Sequence, residues 1–316
     1  MSASPSEPKV SVIALAYDHE RFVEESLDAV AAQTFRDFEL IVVDDASTDG
    51  TADRIAAWLD RTGTDATFLH NEKNLGVSAA RNLALRHCRG TYLCTAAGDD
   101  VYEPDRLEVQ VATFDALGDD VAAVFGDMRV IDERGHPLPA SAQRWSGVQH
   151  PSGSVFEELL RQNFVPSPAT MLRRSAVEEV GGWDEGLILD DWDLFLRLAD
   201  RHRLVHHREI VANYRQLDTG ISRDPARAAE RSASVVRLQL RWAGRGPSAR
   251  RQAIDRSWRS ALSTVEFDQA EGLRLLDEVL VLEPSPWRKA VRALAATPLG
   301  PHLVELRRTI SRRGSH

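Results

Sequence analysis

Cysteine is scarce in this chain, and long hydrophobic runs are missing. Cys88 and Cys94 are the only cysteines among 316 residues, and their spacing matches neither a zinc site nor a thiol redox motif. No apolar run approaches the length of a membrane span. The polar segment 1–9 also lacks the apolar centre of a signal peptide. These absences favour a protein of the reducing cytoplasm, without a disulfide framework or a membrane helix.

The charge is distributed unevenly along the chain. Residues 223–316 carry 18 Lys+Arg against 10 Asp+Glu, whereas residues 1–222 carry 21 against 38. This change predicts a flexible N-terminus over 1–8, a folded domain over 9–222 and a basic region over 223–316. An acidic front half argues against nucleic-acid binding. The basic end is explained either by solvated Arg-rich helices or by contact with an anionic membrane surface.

Apolar runs alternate with amphipathic segments in the first hundred residues. Buried strands are predicted over 10–16, 38–43, 67–70 and 92–97, with helices over 20–33, 51–61 and 77–87. This alternation predicts an α/β fold with a Rossmann-like, mostly parallel sheet and helices on both faces. Three strands, ending at Ala16, Val43 and Ala97, would bring polar residues to one edge of the sheet. Ligands of open α/β sheets bind at that edge.

The rest of the chain adds strands and then only helices. Further strands are predicted over 121–125 and 128–131, joined at 126–127, and over 170–172, 204–206 and 210–214. Further helices are predicted over 104–117, 154–162, 175–180, 225–243, 247–264, 268–282, 285–296 and 301–313. A long loop over 132–153, which contains Trp145, is typical of a mobile segment or a binding loop. The sequence therefore predicts an all-helical C-terminal region.

Two acidic clusters stand out. Gly98-Asp99-Asp100 ends the fourth strand, where buried carboxylates are costly unless a cation is near. A divalent metal carrying a nucleotide diphosphate would suit the place, and an acidic turn that caps the next helix is the alternative. The second cluster, Asp190-Asp191-Trp192-Asp193, opens a helix, where exposed amides favour carboxylates. That effect does not explain why three acids fall within four residues.

Five motifs, in this order, resemble glycosyltransferase family 2 and its nucleotide-diphospho-sugar transferase fold, the glycosyltransferase A fold. They are Val10-Ser11-Val12-Ile13, Val42 to Thr51, Asn74 to Asn82, Gly98-Asp99-Asp100, and Gly181 to Glu185 with Asp190 to Asp193. Each motif alone is weak, whereas five in order at family-like spacing are specific. The likeness covers residues 9–222, which would be the catalytic domain, and leaves the basic helices outside it.

The resemblance implies a nucleotide site at the ends of the first strands. Ala16 and Tyr17 would contact the nucleotide, with the Tyr17 ring stacked on the base, although an edge-of-core tyrosine is the alternative. Asp45 would accept the imide hydrogen of uracil. Arg81 would lie near the base or the phosphates. Asp99 would bind Mn²⁺ or Mg²⁺ between the two phosphates, and Asp100 would hydrogen-bond the donor sugar or help to hold the metal.

The same resemblance implies an acceptor side at the second acidic cluster. Asp191 matches the family's general base, which deprotonates the acceptor hydroxyl during one inverting displacement. Asp190 would shape the acceptor site or cap the helix, and Trp183 and Trp192 would support the acceptor side. Asp193 falls on a different helix face and is expected to be structural.

The chain departs from the family pattern at two positions that bear on the metal. Ala97 stands where the family often carries the first Asp of its metal motif, and Leu217 stands where it often carries a His. Metal binding is therefore expected to be weaker, or to depend on the donor phosphates. The Gln-x-x-Arg-Trp motif of processive polysaccharide synthases is also missing, which favours a non-processive enzyme.

The resemblance thus implies an inverting, metal-dependent transfer of a single sugar from a nucleotide donor, with a UDP-sugar expected first. The acceptor hydroxyl would belong to a glycan, a lipid-linked intermediate or a small molecule, as in cell-surface polysaccharide biosynthesis. The alternative is a degenerate nucleotide-sugar-binding or scaffolding module without catalysis. A nucleotidyltransferase is disfavoured, because Ala16-Tyr17-Asp18-His19 replaces the basic, Gly-rich loop of that class. The C-terminal helices would contact the inner membrane face or a second copy.

Overall fold

The computed structural model describes residues 7–139, 150–217, 220 and 224–300. Residues 140–149 of the loop predicted over 132–153, among them Trp145, lie outside these residues, as do segment 1–6 and the helix predicted over 301–313. The chain divides into two compact units. The first is Met1–Glu185 with Asp190–Leu217, and the second is Gly186–Leu189 with Asp218–His316.

The first unit contains eight strands and seven helices among its described residues. The strands are β1 Val10–Ala16, β2 Phe38–Asp44, β3 Ala66–His70, β4 Tyr92–Ala97, β5 Val101–Tyr102, β6 Val121–Ile131, β7 Thr170–Arg173 and β8 Arg203–Arg215. The helices are α1 Val23–Ala31, α2 Thr51–Thr62, α3 Val77–Leu85, α4 Arg106–Asp115, α5 Phe156–Arg161, α6 Arg174–Glu179 and α7 Asp190–Ala199.

The eight strands form one sheet in the order β3-β2-β1-β4-β7-β6-β8-β5. Pairs β1–β2, β1–β4, β2–β3 and β6–β8 are parallel, and pairs β4–β7, β6–β7 and β5–β8 are antiparallel. The predicted α/β fold is confirmed, with antiparallel pairs in the half that follows β4. In the parallel half, Ala16 pairs with Asp44 and Leu15 with Ala97. The carboxyl ends of β1, β2 and β4 therefore lie side by side.

The core of this unit explains why the central strands are continuous apolar runs. Val10, Val12 and Ala14 of β1 pack in one buried cluster with Leu27 of α1 and Trp58 of α2. The neighbouring Ile13 is equally buried from the other face of the sheet. A strand covered on both faces buries nearly every side chain, so its apolar residues do not alternate with polar ones.

Two predicted strand pairs are single strands in the structure. The prediction of a turn at Gly126-Asp127 is wrong, because β6 continues through it with register shifts between Phe125 and Met128 against β8. A Cβ on Gly126 would lie 2.7 Å from the His207 ring and 2.8 Å from the Glu209 carbonyl. This glycine therefore marks a bulge with close backbone approach rather than a hairpin. The segments predicted over 204–206 and 210–214 likewise belong to the single strand β8.

The second unit is helical, as predicted for the described part of the basic region. Its helices are α8 Ala228–Arg241, α9 Pro247–Phe267, α10 Gln269–Leu282 and α11 Pro286–Ala295. Their core includes Trp258, Leu275 and Leu276. A Cβ on Gly272 would lie 2.5 Å from the Val265 backbone nitrogen, so α9 and α10 meet closely there. Among the residues described, none of the helices combines the length and apolar character needed to cross a membrane.

The contact between β1 and the start of β4 gives a stability prediction. A Cβ on Gly90 would lie 2.5 Å from the Ser11 nitrogen and 2.6 Å from the Val10 carbonyl carbon. Because backbone atoms cannot move aside, Gly90→Ala should lower the free energy of unfolding by about 1–3 kcal/mol. Denaturant titration followed by circular dichroism measures this change.

Gly118→Ala is the matched control. Its Cβ would meet only the carboxylate end of Asp120, a flexible side chain, at 2.9 Å. We expect its effect to stay within about 0.5 kcal/mol. Equal losses in the two variants would show that the close approach at Gly90 does not matter.

Candidate active site

The loops that follow β1 and β2 are tied to each other by hydrogen bonds. The backbone N–H of Thr48 donates to Asp18 Oδ1 at 2.7 Å, and the N–H of Gly50 donates to Glu20 Oε2 at 3.0 Å. In return, Asp49 Oδ2 accepts from the Glu20 N–H at 3.1 Å, while Asp49 Oδ1 accepts from the Thr51 N–H at 2.9 Å. Burial alone would raise the pKa of Asp49 and is the largest single effect. The hydrogen bonds together outweigh it, so the pKa of Asp49 is lowered. The two loops therefore form one fixed surface at the carboxyl edge.

The predicted nucleotide residues Ala16, Tyr17 and Asp45 meet on this surface. Ala16 is the last residue of β1, and its carbonyl accepts the backbone N–H of Asp45 at 2.9 Å. The Tyr17 ring is 42% exposed, so it belongs to the surface of the edge and not to the core. A flat, exposed, amphipathic ring at this place can stack on a nucleotide base.

The Asp45 carboxylate is buried and already holds the loop that follows β3. Its Oδ1 accepts from Asn71 Nδ2 at 2.8 Å and from the Leu75 N–H at 2.9 Å, and its Oδ2 accepts from the Gly76 N–H at 2.8 Å. A carboxylate can accept about four hydrogen bonds. These three bonds leave room on Oδ2 for one further donor, which is what the predicted contact with a base needs.

Asp99 and His19 face each other at the ends of β4 and β1. His19 Nε2 lies 3.9 Å from Asp99 Oδ1, and the two side chains are 22% and 15% exposed. His19 Nδ1 is buried and has no hydrogen-bond partner in the described part of the chain. A carboxylate and the imidazole nitrogen that faces it are both ligand types of divalent transition-metal ions, so the pair fits such a cation. The binding of a metal by Asp99 stays a prediction.

Asp100 points into the protein and is held by Arg215. Asp100 Oδ1 accepts the backbone N–H of Arg215 at 2.9 Å. Burial, followed by the charge of Asp99, raises the pKa of Asp100 well above its usual range. The predicted contact of Asp100 with donor sugar or metal stays a prediction, and the bond observed here orients the Asp99-Asp100 turn against β8.

The Arg215 guanidinium joins four parts of this edge. It is buried, and it donates to the Asp99 carbonyl at 2.9 Å, the Asp132 and Glu133 carbonyls at 3.2 and 3.0 Å, and Glu25 Oε2 at 2.6 Å. One cation therefore links β8, the Asp99-Asp100 turn, the turn after β6 and helix α1.

Asp190 and Arg81 form an ion pair that joins α7 to α3. Arg81 Nη1 donates to Asp190 Oδ2 at 2.7 Å, and Ser78 Oγ donates to the same oxygen at 3.0 Å. Asp190 Oδ1 accepts the backbone N–H of Asp191 at 2.9 Å, so Asp190 also satisfies the helix N-terminus, as predicted for a capping role. Arg81 Nε is buried and has no described partner, and the contact of Arg81 with a nucleotide stays a prediction.

Asp191 lies at the same helix end with a different environment. Its Oδ1 accepts the Trp192 N–H at 2.6 Å, and no described residue donates to its Oδ2. Burial raises the pKa of Asp191 to about 6, the negative charge of Asp190 adds to this, and Arg81 opposes it. A carboxylate with one free oxygen and a pKa near neutrality can accept a proton from a hydroxyl group.

The two predicted tryptophans are buried behind this helix end. The Trp183 backbone N–H donates to Asn82 Oδ1 at 2.9 Å, and Asn82 Nδ2 donates to the Trp183 carbonyl at 2.8 Å. The Arg81 guanidinium lies 5.9 Å from the centre of the Trp183 ring. Trp192 Nε1 donates to the Leu159 carbonyl at 2.8 Å. The role of both tryptophans on the acceptor side stays a prediction. Asp193 is fully buried and pairs with Arg197 at 2.7 Å, as expected for a structural residue.

Sequence reasoning missed His19 and Arg215 as site residues. His19 follows Tyr17 by two positions, just after the carboxyl end of β1. Its position after the first strand, which identified Tyr17, could also have identified His19. Arg215 carries no such local signal, because its five bonds join segments that are distant in sequence.

A separate cluster of possible metal ligands is formed by residues of β6, of β8 and of the segment that precedes α5. Ligand atoms of Asp127, His150 and His206 lie within 4.8 Å of one another, the only group of three or more such residues among those described. His206 Nε2 lies 2.8 Å from Asp127 Oδ1, and His206 Nδ1 lies 3.4 Å from the His150 backbone N–H. These contacts use both ring nitrogens of His206 without a metal.

The Glycosyl transferase family 2 model matches residues 11–181, which is more than half of the chain. The chain belongs to glycosyltransferase family 2. It is 27% identical over 218 residues to an uncharacterized glycosyltransferase of Methanocaldococcus jannaschii, covering 68% of this chain and 73% of that one. It is 27% identical over 233 residues to the putative teichuronic acid biosynthesis glycosyltransferase TuaG of Bacillus subtilis, covering 73% and 88%.

Solved structures share the fold of this family 2 chain. S. aureus TarS in complex with UDP-GlcNAc has a TM-score of 0.66 at 18% identity, covering 87% of this chain and 82% of that one. The mannosyltransferase PcManGT from Pyrobaculum calidifontis, in complex with GDP-Man and Mn²⁺, has a TM-score of 0.62 at 20% identity, covering 95% and 84%. Likeness at this identity shows the fold, and the predicted glycosyltransferase A fold is confirmed.

The buried cation at the edge of the sheet gives a second stability prediction. Arg215→Met should lower the free energy of unfolding by about 2–4 kcal/mol, because three carbonyl groups and the Glu25 carboxylate lose the donor that the buried guanidinium supplies. Arg21→Met is the control, since Arg21 pairs with Glu133 at 3.1 Å on the exposed side of the same turn. An exposed pair of this kind contributes about 0–1 kcal/mol. Denaturant titration of both variants measures the two changes. If Arg215→Met lowers the free energy of unfolding no more than Arg21→Met does, Arg215 does not stabilise this edge of the sheet.

Proposed function

We propose that this chain is an inverting, metal-dependent, non-processive glycosyltransferase that moves one sugar from a nucleotide-diphosphate sugar to an acceptor hydroxyl. The observation that carries the proposal is Asp191, a carboxylate with one unbonded oxygen and a pKa raised to about 6. It stands at the N-terminus of α7 in the same unit as the surface formed by Tyr17, Asp45 and Asp99.

Asp191 would act as the general base. Its free Oδ2 takes the proton of the acceptor hydroxyl while that oxygen attacks the anomeric carbon of the donor. The bond from the anomeric carbon to the phosphate oxygen breaks in the same step, and the nucleoside diphosphate leaves. A single displacement of this kind inverts the anomeric centre. A base with a pKa near the working pH is suited to this transfer.

The donor would lie along the carboxyl ends of β1, β2 and β4. Tyr17 would present its exposed ring to the base, Asp45 Oδ2 would accept one hydrogen from the base, and Arg81 would lie near the base or the phosphates. Asp99 would hold Mn²⁺ or Mg²⁺ at the diphosphate, and Asp100 would keep the Asp99 turn in place through its bond with Arg215. When bound, the metal offsets the negative charge that develops on the leaving diphosphate.

The relatives support a nucleotide sugar as donor without selecting one. One related structure contains UDP-GlcNAc, and another contains GDP-Man with Mn²⁺. We place a UDP-sugar first, because the Asp45 contact suits uracil. The name of TuaG supports an acceptor in cell-surface polysaccharide biosynthesis. We retain a cytoplasmic location as a proposal that the low cysteine content supports. We also retain contact of the region 223–316 with the inner membrane face or a second copy, as a proposal that its basic composition supports.

The second candidate is a nucleotide-sugar-binding or scaffolding module without catalysis. Ala97 and Leu217 favour it, because each replaces a residue that would strengthen metal binding. Asp191 argues for the enzyme, since a binding module has no need of a carboxylate with a raised pKa.

Calorimetric titration with UDP, GDP and dTDP, each with and without Mn²⁺, tests the donor site. We expect UDP to bind most tightly and Mn²⁺ to increase its affinity at least tenfold, because the cation screens the repulsion between the diphosphate and Asp99. A preference for GDP or dTDP would contradict the uracil assignment. Absence of binding by all three would contradict the nucleotide site itself.

Replacement of Asp191 tests the catalytic assignment. Asp191→Asn keeps the shape of the side chain but cannot accept the proton, so kcat should fall roughly 10²–10⁴-fold while UDP binding is retained. In the wild type, the rate should fall as the pH drops through about 6, because the Asp191 carboxyl then becomes protonated. Steady-state sugar transfer against pH measures both effects.

Asp53→Asn is the matched control, since Asp53 is an exposed acid in the first turn of α2. It should leave kcat and the pH profile unchanged. An Asp191→Asn variant as active as this control would overturn the assignment of the base.

A further inference from the structure

We propose that His19 is a ligand of the divalent metal, and that it compensates for the two family ligands absent at Ala97 and Leu217. The inference rests on the proposed function, because it assumes a metal-bound nucleotide diphosphate at Asp99. Neither the family pattern nor the two departures points to His19. The geometry of the edge does.

The separation between His19 and Asp99 suits two ligands of one ion. His19 Nε2 lies 3.9 Å from Asp99 Oδ1, which is too long for a hydrogen bond. Two donor atoms that each lie about 2.1 Å from an ion are separated by about 3.0 Å at a right angle and by about 4.2 Å when opposite. The observed separation falls inside this range, so an ion could contact both atoms without rearrangement of either loop.

The imidazole of His19 makes no hydrogen bond within the part of the chain that the structure describes. Its Nδ1 is buried and makes no hydrogen bond to any described residue, and Nε2 approaches only Asp99. A buried polar side chain that serves the fold is normally hydrogen-bonded. The ring instead packs on Gly98, where a Cβ would lie 2.8 Å from Nδ1. The missing side chain at Gly98 therefore makes room for the imidazole beside the metal residue.

The backbone of His19 is held firmly in place. Its N–H donates to Thr51 Oγ1 at 2.8 Å, and its carbonyl accepts from the N–H groups of Phe22 and Val23, both at 2.9 Å. Thr51 is in turn held by Asp49. A ligand carried on such a fixed loop loses little conformational entropy when the metal binds.

Two consequences follow from the ligand type. An imidazole favours Mn²⁺ or another transition metal over Mg²⁺, which prefers an all-oxygen shell. A metal-bound histidine is usually strengthened by an acceptor on its other ring nitrogen. His19 has none among the described residues. Metal binding should therefore become measurable only when diphosphate oxygens supply further ligands.

Pulsed electron paramagnetic resonance of Mn²⁺ bound to the full chain with UDP provides a test independent of catalysis. The wild-type complex should show a hyperfine coupling from a directly bound nitrogen, and His19→Gln should lose it. In parallel calorimetry, His19→Gln should reduce the gain in UDP affinity caused by Mn²⁺ by at least tenfold. UDP affinity without metal should not change.

Two further variants complete the experiment. His19→Asp should restore Mn²⁺-dependent UDP binding without the nitrogen coupling, and should accept Mg²⁺ as well, because a carboxylate replaces the imidazole. His202→Gln is the control. It removes another histidine that is paired with a carboxylate, since His202 Nε2 lies 3.0 Å from Glu179 Oε2. His202 directly precedes the first residue of β8. This control should behave as the wild type does.

The outcomes separate this inference from the proposed function. If wild-type protein binds UDP with Mn²⁺ and His19→Gln keeps both the affinity gain and the nitrogen coupling, His19 is not a ligand while the donor site stands. If His19→Gln weakens UDP equally with and without Mn²⁺, His19 contacts phosphate or only shapes the loop, which also overturns the inference. If the wild type binds none of UDP, GDP and dTDP, the proposed function itself fails.

Discussion

Carboxylates concentrated at one edge of a sheet must each find hydrogen-bond donors, and this requirement organises the first unit. Asp45 takes donors from the loop after β3, Asp100 from β8, and Asp190 from α3. Each bond therefore joins two segments that are distant in sequence. Because an unsatisfied buried carboxylate would cost several kcal/mol, the loops are fixed by the acids that would otherwise destabilise them. The binding surface and the stability of the edge thus depend on the same bonds.

The sequence predicted the parallel half of the sheet well, because the information there is local. A strand buried on both faces is a short apolar run, and β1 and β4 have the bounds predicted from that pattern. The prediction failed at Gly126-Asp127, where a glycine beside an aspartate is typical of a turn. The bulge in β6 is set by its pairing with β8, some eighty residues later, and no local pattern reports that pairing.

The acidic residues of the candidate site were also selected from the sequence. The sequence did not show how many of their oxygens already accept hydrogen bonds within the protein. Asp45 and Asp190 are largely occupied by donors such as Asn71, Ser78 and Arg81, which only the fold brings near. His19 shows the reverse case. In the sequence it is an ordinary loop residue, and its role depends on the 3.9 Å separation from Asp99 that the pairing of β1 with β4 creates.

The adjacent acids Asp190 and Asp191 have different environments at one helix end. Asp190 accepts hydrogen bonds from Ser78 and from the Arg81 cation. Asp191 accepts one backbone hydrogen bond, from Trp192. Burial raises the pKa of Asp191 to about 6, and the negative charge of Asp190 adds to this rise. The Arg81–Asp190 pair fixes α7 against α3, and the Arg81 charge also opposes the rise in the pKa of Asp191. A change in Arg81 would therefore alter the pKa of Asp191 as well as the contact that we propose with the nucleotide.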